Sequence, residues 1–328
     1  MPELLDGVHR SPEETRLTRT GDRARCTLLV TGAAGFIGSA LCRRLVSDGH
    51  RVIGYDDLSR GRREFLPQGF RLVEGDIRDQ ARLSETIAET MPECVIHLAA
   101  MHFIPECVAR PRETLDVNVE GTRRVLESCR DRSVRTFVFA SSAAVYAPAD
   151  GPCAEDTTPL RPLEIYGESK LAAEQLVRAF HEDTGIPASI LRLFNTVGRR
   201  ETNPHVIPHI FESLQTSDVI ALGNITPRRD YIDARDVAEA ILAVADGSTG
   251  LQVLNVGTGV AHSVSDIVES LRRILARPIT VVQETSRMRT TERMLLLASI
   301  EKIRGATRWT PKITLEDTLE DLVAAYGL

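Results

Sequence analysis

Short runs of apolar and β-branched residues alternate along the first two thirds of the chain with longer stretches whose apolar positions recur every three to four residues. The runs Cys26–Thr31, Arg51–Asp56, Phe70–Glu74, Cys94–His97, Thr136–Ala140 and Ala188–Arg192 read as strands. The stretches Ile37–Ser47, Asp79–Thr90, Glu113–Cys129 and Ser169–Asp183 fit helices between them. Strand and helix in alternation imply parallel pairing. The expected class is therefore α/β, with a doubly wound parallel sheet. After Asn195 the pattern loosens, and Pro204, Pro208, Pro227 and Pro278 punctuate shorter elements. A helix near Ser263–Leu275 follows the apolar run Leu251–Val256. We expect a tail over residues 1–25, a sheet domain over 26–194, and a smaller lobe over 195–328 that covers the carboxyl edge of the sheet.

Composition narrows the class. With 328 residues, 42% of them hydrophobic, the chain can bury a large core. The net charge of −6 comes without a dominant basic patch, which argues against nucleic acid as a partner. The longest apolar runs are of strand length, well short of the roughly 20 residues of a membrane helix, so a soluble chain with no membrane partner is expected. Six cysteines, Cys26, Cys42, Cys94, Cys107, Cys129 and Cys153, are scattered without CxxC pairs. That is thiol usage of a reducing, cytoplasmic compartment rather than a disulfide framework or a metal site. The first two dozen residues mix Arg10, Arg16, Arg19 and Arg23 with Glu3, Asp6, Glu13 and Glu14. They lack the apolar segment of a secretory signal.

The first chemical landmark is Thr31-Gly32-Ala33-Ala34-Gly35-Phe36-Ile37-Gly38, set between the first strand and first helix. Gly32 permits a tight turn, Gly35 lets backbone approach a pyrophosphate, and Gly38 lets helix and strand pack closely. The N–H groups that open the helix then face the phosphates. Asp56 ends the second strand 24 residues beyond Gly32, where a carboxylate accepts from adenosine ribose hydroxyls and repels a 2′-phosphate. NAD is thus favoured over NADP, although Arg60 and Arg62 stand near and pull the other way. Gly75-Asp76-Ile77 and His97-Leu98-Ala99-Ala100 follow the third and fourth strands at the same carboxyl edge. His97 reads as a packed core histidine. His102, past the strand end, is the better candidate for touching substrate.

The second landmark is Tyr166-Gly167-Glu168-Ser169-Lys170, whose tyrosine and lysine share a helix face. An ammonium beside a phenol favours the phenolate and lowers its pKa from about 10 towards neutrality. The result is a general base able to deprotonate an alcohol. Ser141-Ser142-Ala143-Ala144-Val145-Tyr146 follows the strand Thr136–Ala140, so the Ser142 hydroxyl reaches the same edge, whereas Tyr146 packs.

Together these motifs resemble the extended short-chain dehydrogenase/reductase family, which includes NAD-dependent nucleotide-sugar epimerases and dehydratases. The resemblance runs from about Leu28 to the C-terminus and implies a Rossmann sheet with a C-terminal substrate-binding lobe. It implies a catalytic triad of Ser142, Tyr166 and Lys170, with Lys170 also holding the nicotinamide ribose. It implies that Asn118 supports the active site, that Phe194 contacts the cofactor, and that Asn195 contacts the substrate. In Arg228-Arg229-Asp230-Tyr231 it implies that Arg229 grips the sugar nucleotide's diphosphate, which suits a guanidinium fork. Of the family's RPGD motif, Arg287-Met288-Arg289-Thr290 keeps an arginine, Arg287, and loses the acid. Leu254–Gly259 and Trp309-Thr310-Pro311 match packing landmarks. Family members often form homodimers through a four-helix bundle, here helices 113–129 and 169–183.

The resemblance also discriminates between reactions. Dehydratases place Asp-Glu after the serine, and 3,5-epimerases a cysteine, where this chain has Ala143-Ala144. Ala143 is accordingly expected beside the sugar with no proton to give or take. A 4-keto reductase usually draws on NADPH, against Asp56. What remains is 4-epimerisation of a UDP- or GDP-hexose. The alternatives are a 4,6-dehydratase, a 4-keto reductase or a non-catalytic NAD-binding regulator.

Overall fold

The computed structural model describes residues 26–328 apart from 131, 248 and 289–291. The tail expected over residues 1–25 lies outside them. In chain order the first part contains β1 (Thr27–Thr31), α1 (Phe36–Ser47), β2 (Arg51–Asp56), β3 (Arg71–Glu74), α2 (Gln80–Thr90), β4 (Cys94–His97), α3 (Ile104–Ala109) and α4 (Pro111–Leu115). A π-helical turn over Asp116–Gly121 leads into α5 (Thr122–Cys129), followed by β5 (Thr136–Ser142), α6 (Ile165–Thr184) and β6 (Ala188–Leu193). The remainder holds β7 (Asn195–Val197), α7 (Val206–Leu214), β8 (Val219–Leu222), β9 (Arg228–Asp233), α8 (Ala234–Gly247) and β10 (Leu251–Val256). It ends with β11 (Ala261–Ser263), α9 (Val264–Leu275), β12 (Thr280–Gln283), β13 (Leu295–Leu296), α10 (Glu301–Thr307) and α11 (Leu315–Tyr326).

Seven strands form one parallel sheet in the order β10-β6-β5-β4-β1-β2-β3. The order reverses between β1 and β4, the switch point at which such sheets open a crevice. Alternation along each strand sends side chains to two separate cores. Leu28 and Val30 pack with Leu41 and Leu45 of α1 and with Val237, Ile241 and Val244 of α8. Leu29 faces the other way, with Ile53, Leu83, Ile87, Val125 and Val177 beneath α2, α5 and α6. A sheet buried on both faces explains why its strands read as continuous apolar runs.

Three sequence expectations shift. Helix 113–129 begins at Pro111 and is broken by the π turn, which carries Asn118 inward. Helix α6 starts at Ile165, before Tyr166, and stops at Gly185 with φ 69°. The third change is topological. Leu251–Val256, expected in the smaller lobe, pairs along its whole length with Ala188–Leu193 and forms an edge of the main sheet. The chain leaves the sheet after β6, builds β7 to β9, and returns through α8, so residue 194 does not divide the two parts cleanly. Its reason is packing: the apolar face of α8 covers α1, β5 and β6. The smaller lobe keeps its own core around Phe211, Ile220, Ile267 and Leu319.

Beneath the sheet's carboxyl edge sits a sealed ion pair. Arg192 of β6 bonds Glu174 of α6 through two contacts of 3.0 and 2.8 Å, with the side chains 1% and 0% exposed. Bidentate geometry of this kind is what allows charges to stay buried.

Because α8 belongs to the sheet's flanking layer, Ile241→Ala should lower the unfolding free energy by about 2–5 kcal/mol, the range for truncating a fully buried aliphatic side chain. Urea unfolding of the two proteins checks this. A change below the range would mean that α8 packs loosely on the sheet.

Candidate active site

The glycine turn is built to a tolerance that side chains would break. Gly32 adopts φ +70°, and a Cβ there would lie 2.7 Å from the Ala99 backbone nitrogen. A Cβ on Gly38 would run into the carbonyl oxygen of Gly32. The turn thus closes on Leu98–Ala99 behind β4 and leaves the N-terminus of α1 facing the crevice. Asp56, at the end of β2, accepts from the backbone N–H of Ala34 and of Leu58, each at 2.9 Å. Burial raises its carboxyl pKa, and those two donors oppose the rise. Arg60 is paired with Glu106, and Arg62 lies 3.8 Å from Glu64. Neither basic side chain is turned on Asp56 by the pairs it forms.

One cleft of about 960 Å³ opens along the carboxyl edge between the sheet and the smaller lobe. That is at the upper end for ligand sites and suits two large ligands end to end. Every residue expected to touch the substrate lines it, and so does every expected cofactor contact except Asn118. The Asn118 amide is spent on scaffolding. It accepts from Met101 N, and donates to Met101 O and to the Ser169 hydroxyl, at 2.8, 2.8 and 2.9 Å. Ser169 in turn donates to the Tyr166 carbonyl at 2.7 Å. Asn118 therefore braces the first turn of α6 from behind. The Asp76 carboxylate is held by Arg78, which keeps its pKa below the usual carboxylate value.

Ser142, Tyr166 and Lys170 converge at the middle of the cleft. Ser142 hydrogen-bonds the Tyr166 phenol, and its oxygen also accepts from Ala144 N at 3.1 Å. Lys170 donates to the Ala140 carbonyl at 2.8 Å and stands 4.8 Å from the centre of the Phe139 ring. The electrostatics differ from the expected lowering of the phenol by the lysine. Burial pushes Tyr166 up to about 12; the Ser142 hydrogen bond lowers it, while nearby Cys107 and Glu164 raise it further. Burial also pushes Lys170 down to about 7. The protein desolvates both groups, and burial is the largest cause of each shift.

The remaining expected residues separate by role. His97 is fully buried between Thr31 and Thr122, at 2.6 and 3.0 Å, and burial lowers its pKa to about 3: a core histidine. His102 lines the cleft, pairs with Asn203 at 2.8 Å, and is lowered to about 4, chiefly by desolvation. Tyr146 is sealed and donates to Asn255 at 2.6 Å. Arg229 lines the cleft with one nitrogen 3.1 Å from Glu292, and Arg287 lines it paired with Glu284 at 2.8 Å.

Sequence reasoning missed several cleft residues. Glu201 and His205 pair beside His102 and Asn203. Arg293, 9% exposed, donates to the carbonyls of Ala143 and Tyr146 at 3.4 and 2.6 Å, and among the described residues no carboxylate lies within ion-pair range of it. It clamps the turn that follows Ser142. Glu292, also absent from the sequence expectations, lines the cleft 3.1 Å from Arg229.

Residues 28–257 match the NAD dependent epimerase/dehydratase family. The chain is 33% identical over 312 residues to the UDP-glucose 4-epimerase of Corynebacterium glutamicum, covering 90% of this chain and 94% of that one. It superposes with a TM-score of 0.83 on the UDP-glucose 4-epimerase of Thermus thermophilus in complex with NAD, at 30% identity over 92% of this chain and 99% of the other. The UDP-glucose 4-epimerase of Thermotoga maritima with UDP-glucose gives 0.84 at 27% identity, over 92% and 98%.

The geometry of the glycine turn makes a direct prediction. Gly38→Ala should force the Gly32 turn outward and weaken dinucleotide binding at least about ten-fold, since close backbone approach is what the turn provides. Gly305→Ala, where an added carbon meets nothing, should leave binding unchanged. Calorimetric titration of the two variants separates the outcomes, and equal affinities would remove the turn from the binding site.

Proposed function

Because the chain belongs to the NAD dependent epimerase/dehydratase family, we infer that it is an NAD-dependent 4-epimerase of a nucleotide-linked hexose. The observation that carries this reading is the joining of Ser142, Tyr166 and Lys170 in a cleft whose neighbouring positions 143 and 144 are alanine. The cradle fits the cofactor, since Gly32 and Gly38 let the turn close on Leu98–Ala99 without side chains in the way, and Gly32, Gly35, Gly38 and Asp56 all line the cleft. Bound there, NAD supplies a hydride acceptor that gives back what it takes, and its positive ring favours the phenolate of Tyr166.

In this mechanism Tyr166 takes the proton from the sugar O4, while the Ser142 hydroxyl holds that oxygen and passes its hydrogen bond between the two partners. Lys170, anchored on Ala140, holds the cofactor's ribose and keeps positive potential beneath the phenol. Arg229 and Arg287, which both line the cleft, would grip the diphosphate, with Glu292 holding Arg229 in place at 3.1 Å. The 4-keto sugar would turn over in the cleft so that the returned hydride reaches the other face of C4, and Tyr166 would give the proton back to O4.

Elimination of the 6-hydroxyl would need a second acid and base near C5. Alanines 143 and 144 supply neither, the His102 ring is bonded to Asn203, and Glu106 is engaged by Arg60 and Arg110. The names of the relatives favour UDP over GDP as the nucleotide. Six buried free cysteines support a cytoplasmic setting, and we propose a homodimer that would pair α4–α5 and α6 with their counterparts in a second copy. Among the described residues, no helix is long and apolar enough to cross a membrane.

Incubated with UDP-hexose in deuterated water, the enzyme should yield the C4 epimer without deuterium at C5, as read by NMR. Deuterium at C5 or a 4-keto-6-deoxy product would replace this reading with a dehydratase or 5-epimerase. Tyr166→Phe should retain NAD and lose roughly 10²-fold in turnover, the scale of a lost general base. Because the base works deprotonated, wild-type turnover should rise with pH on the acid side, and that limb should vanish in the variant. Asp56→Ala should narrow the preference for NAD over NADP, measured by titrating the apoprotein with each. Tighter NADP binding by the wild type would refute the assignment of Asp56.

A further inference from the structure

Three consecutive residues at the end of β5 are each tied to α6, and the three partners lie four residues apart on one face of that helix. Ser142 bonds Tyr166, the Ala140 carbonyl accepts from Lys170 at 2.8 Å, and the Ser141 hydroxyl donates to the Glu174 carboxylate at 2.6 Å. The first two rungs contain the triad. In the third, Ser141 is 2% exposed with its hydroxyl spent on Glu174, and Glu174 is fully buried.

Behind that third rung the chain of contacts continues. Glu174 takes both ends of the Arg192 guanidinium, and Arg192 donates to the Tyr146 hydroxyl at 3.1 Å. Tyr146 donates to Asn255 of β10, whose side-chain amide donates to the carbonyls of Cys153 and Ser299 at 2.8 and 3.2 Å. Strands β5, β6 and β10 are thereby fixed to the helix that carries the base.

We propose that Ser141 and Glu174 are positioning residues of the reaction, setting the strand-to-helix register that keeps the Ser142 hydroxyl on the Tyr166 oxygen. The inference rests on Tyr166 being the base. Buried hydrogen-bonded pairs with two discrete partners hold geometry more tightly than apolar contact, which tolerates sliding. The groups facing Tyr166 are Ser142 from β5, Cys107 from α3 and Glu164 ahead of α6, with Lys170 one turn along. Those facing Glu174 are Ser141, Arg192 and Lys170. Only Ser142 among these lowers the phenol by a hydrogen bond, so a loosened register acts on the base through that contact.

Ser141→Ala tests the idea while leaving the Glu174–Arg192 pair intact. Its kcat should fall about 10- to 100-fold, the order expected for misplacing a reacting group by about 1 Å. KM for UDP-hexose and the NAD content should stay unchanged. The pH at which kcat reaches half its maximum should move upward, because the phenol loses its lowering contact. Ser141→Thr, which keeps the hydroxyl, should recover the rate. The neutral double variant Glu174→Leu/Arg192→Met, which leaves no lone buried charge and no acceptor for the Ser141 hydroxyl, should reproduce the Ser141→Ala defect, and adding Ser141→Ala to it should cost nothing more. Wild-type kcat and pH profile in Ser141→Ala, or a loss confined to KM or NAD content, would overturn the proposal. A Tyr166→Phe variant with full turnover would instead remove the mechanism on which it stands.

Discussion

The pair formed by Glu174 and Arg192 is the contact on which the rest of the active site leans. A guanidinium and a carboxylate have been taken fully out of water, and their desolvation is offset only because every remaining donor and acceptor finds a partner: Ser141 on one side, Tyr146 on the other. Removing one partner of such a pair typically costs about 3–5 kcal/mol, since it strands the other charge. The arrangement couples helix α6 to strands β5 and β6 at one point, close behind the reactive groups. Ser142, Tyr166 and Lys170 thus stand on elements that are tied to one another directly behind the cleft.

Parallel topology does the rest of the gathering. All seven strands of the main sheet run the same way, so their carboxyl ends present Gly32, Asp56, Asp76, Ala99, Ser142 and Phe194 along one rim. The reversal of strand order between β1 and β4 opens the crevice there. The smaller lobe is carried on an excursion between β6 and α8, and the return of β10 to the sheet anchors both ends of that excursion. Residues from the excursion and beyond it, including Arg229, Glu292 and Arg293, reach the same cleft from the opposite wall.

Electrostatics in the cleft are set by desolvation more than by pairing. Burial raises the phenol of Tyr166 and lowers the ammonium of Lys170, so the protein alone stores both groups near neutrality of charge. A cationic ring bound in the cleft would favour the phenolate, the term that burial opposes. The chain's membership of an NAD-dependent family, and its likeness to epimerases solved with NAD or UDP-glucose, fit that division of labour.

What the sequence determined is what is encoded locally. Continuous apolar runs mark strands covered on both faces, because nothing else needs that pattern, and they located the strands of the main sheet. The glycines at 32, 35 and 38 and the four-residue spacing of Tyr166 and Lys170 are likewise local, since a turn and a helix face are set by neighbours in the chain. Tertiary structure decided the long-range matters. It placed Leu251–Val256 beside Ala188–Leu193, a pairing between segments some sixty residues apart that no periodicity records. It gave Asn118 its partners, Met101 and Ser169, and it brought Glu292 to Arg229 across the cleft. It also reversed the expected shift of Tyr166, because a pKa depends on how much water the fold excludes, and that is not written in the spacing of a tyrosine and a lysine.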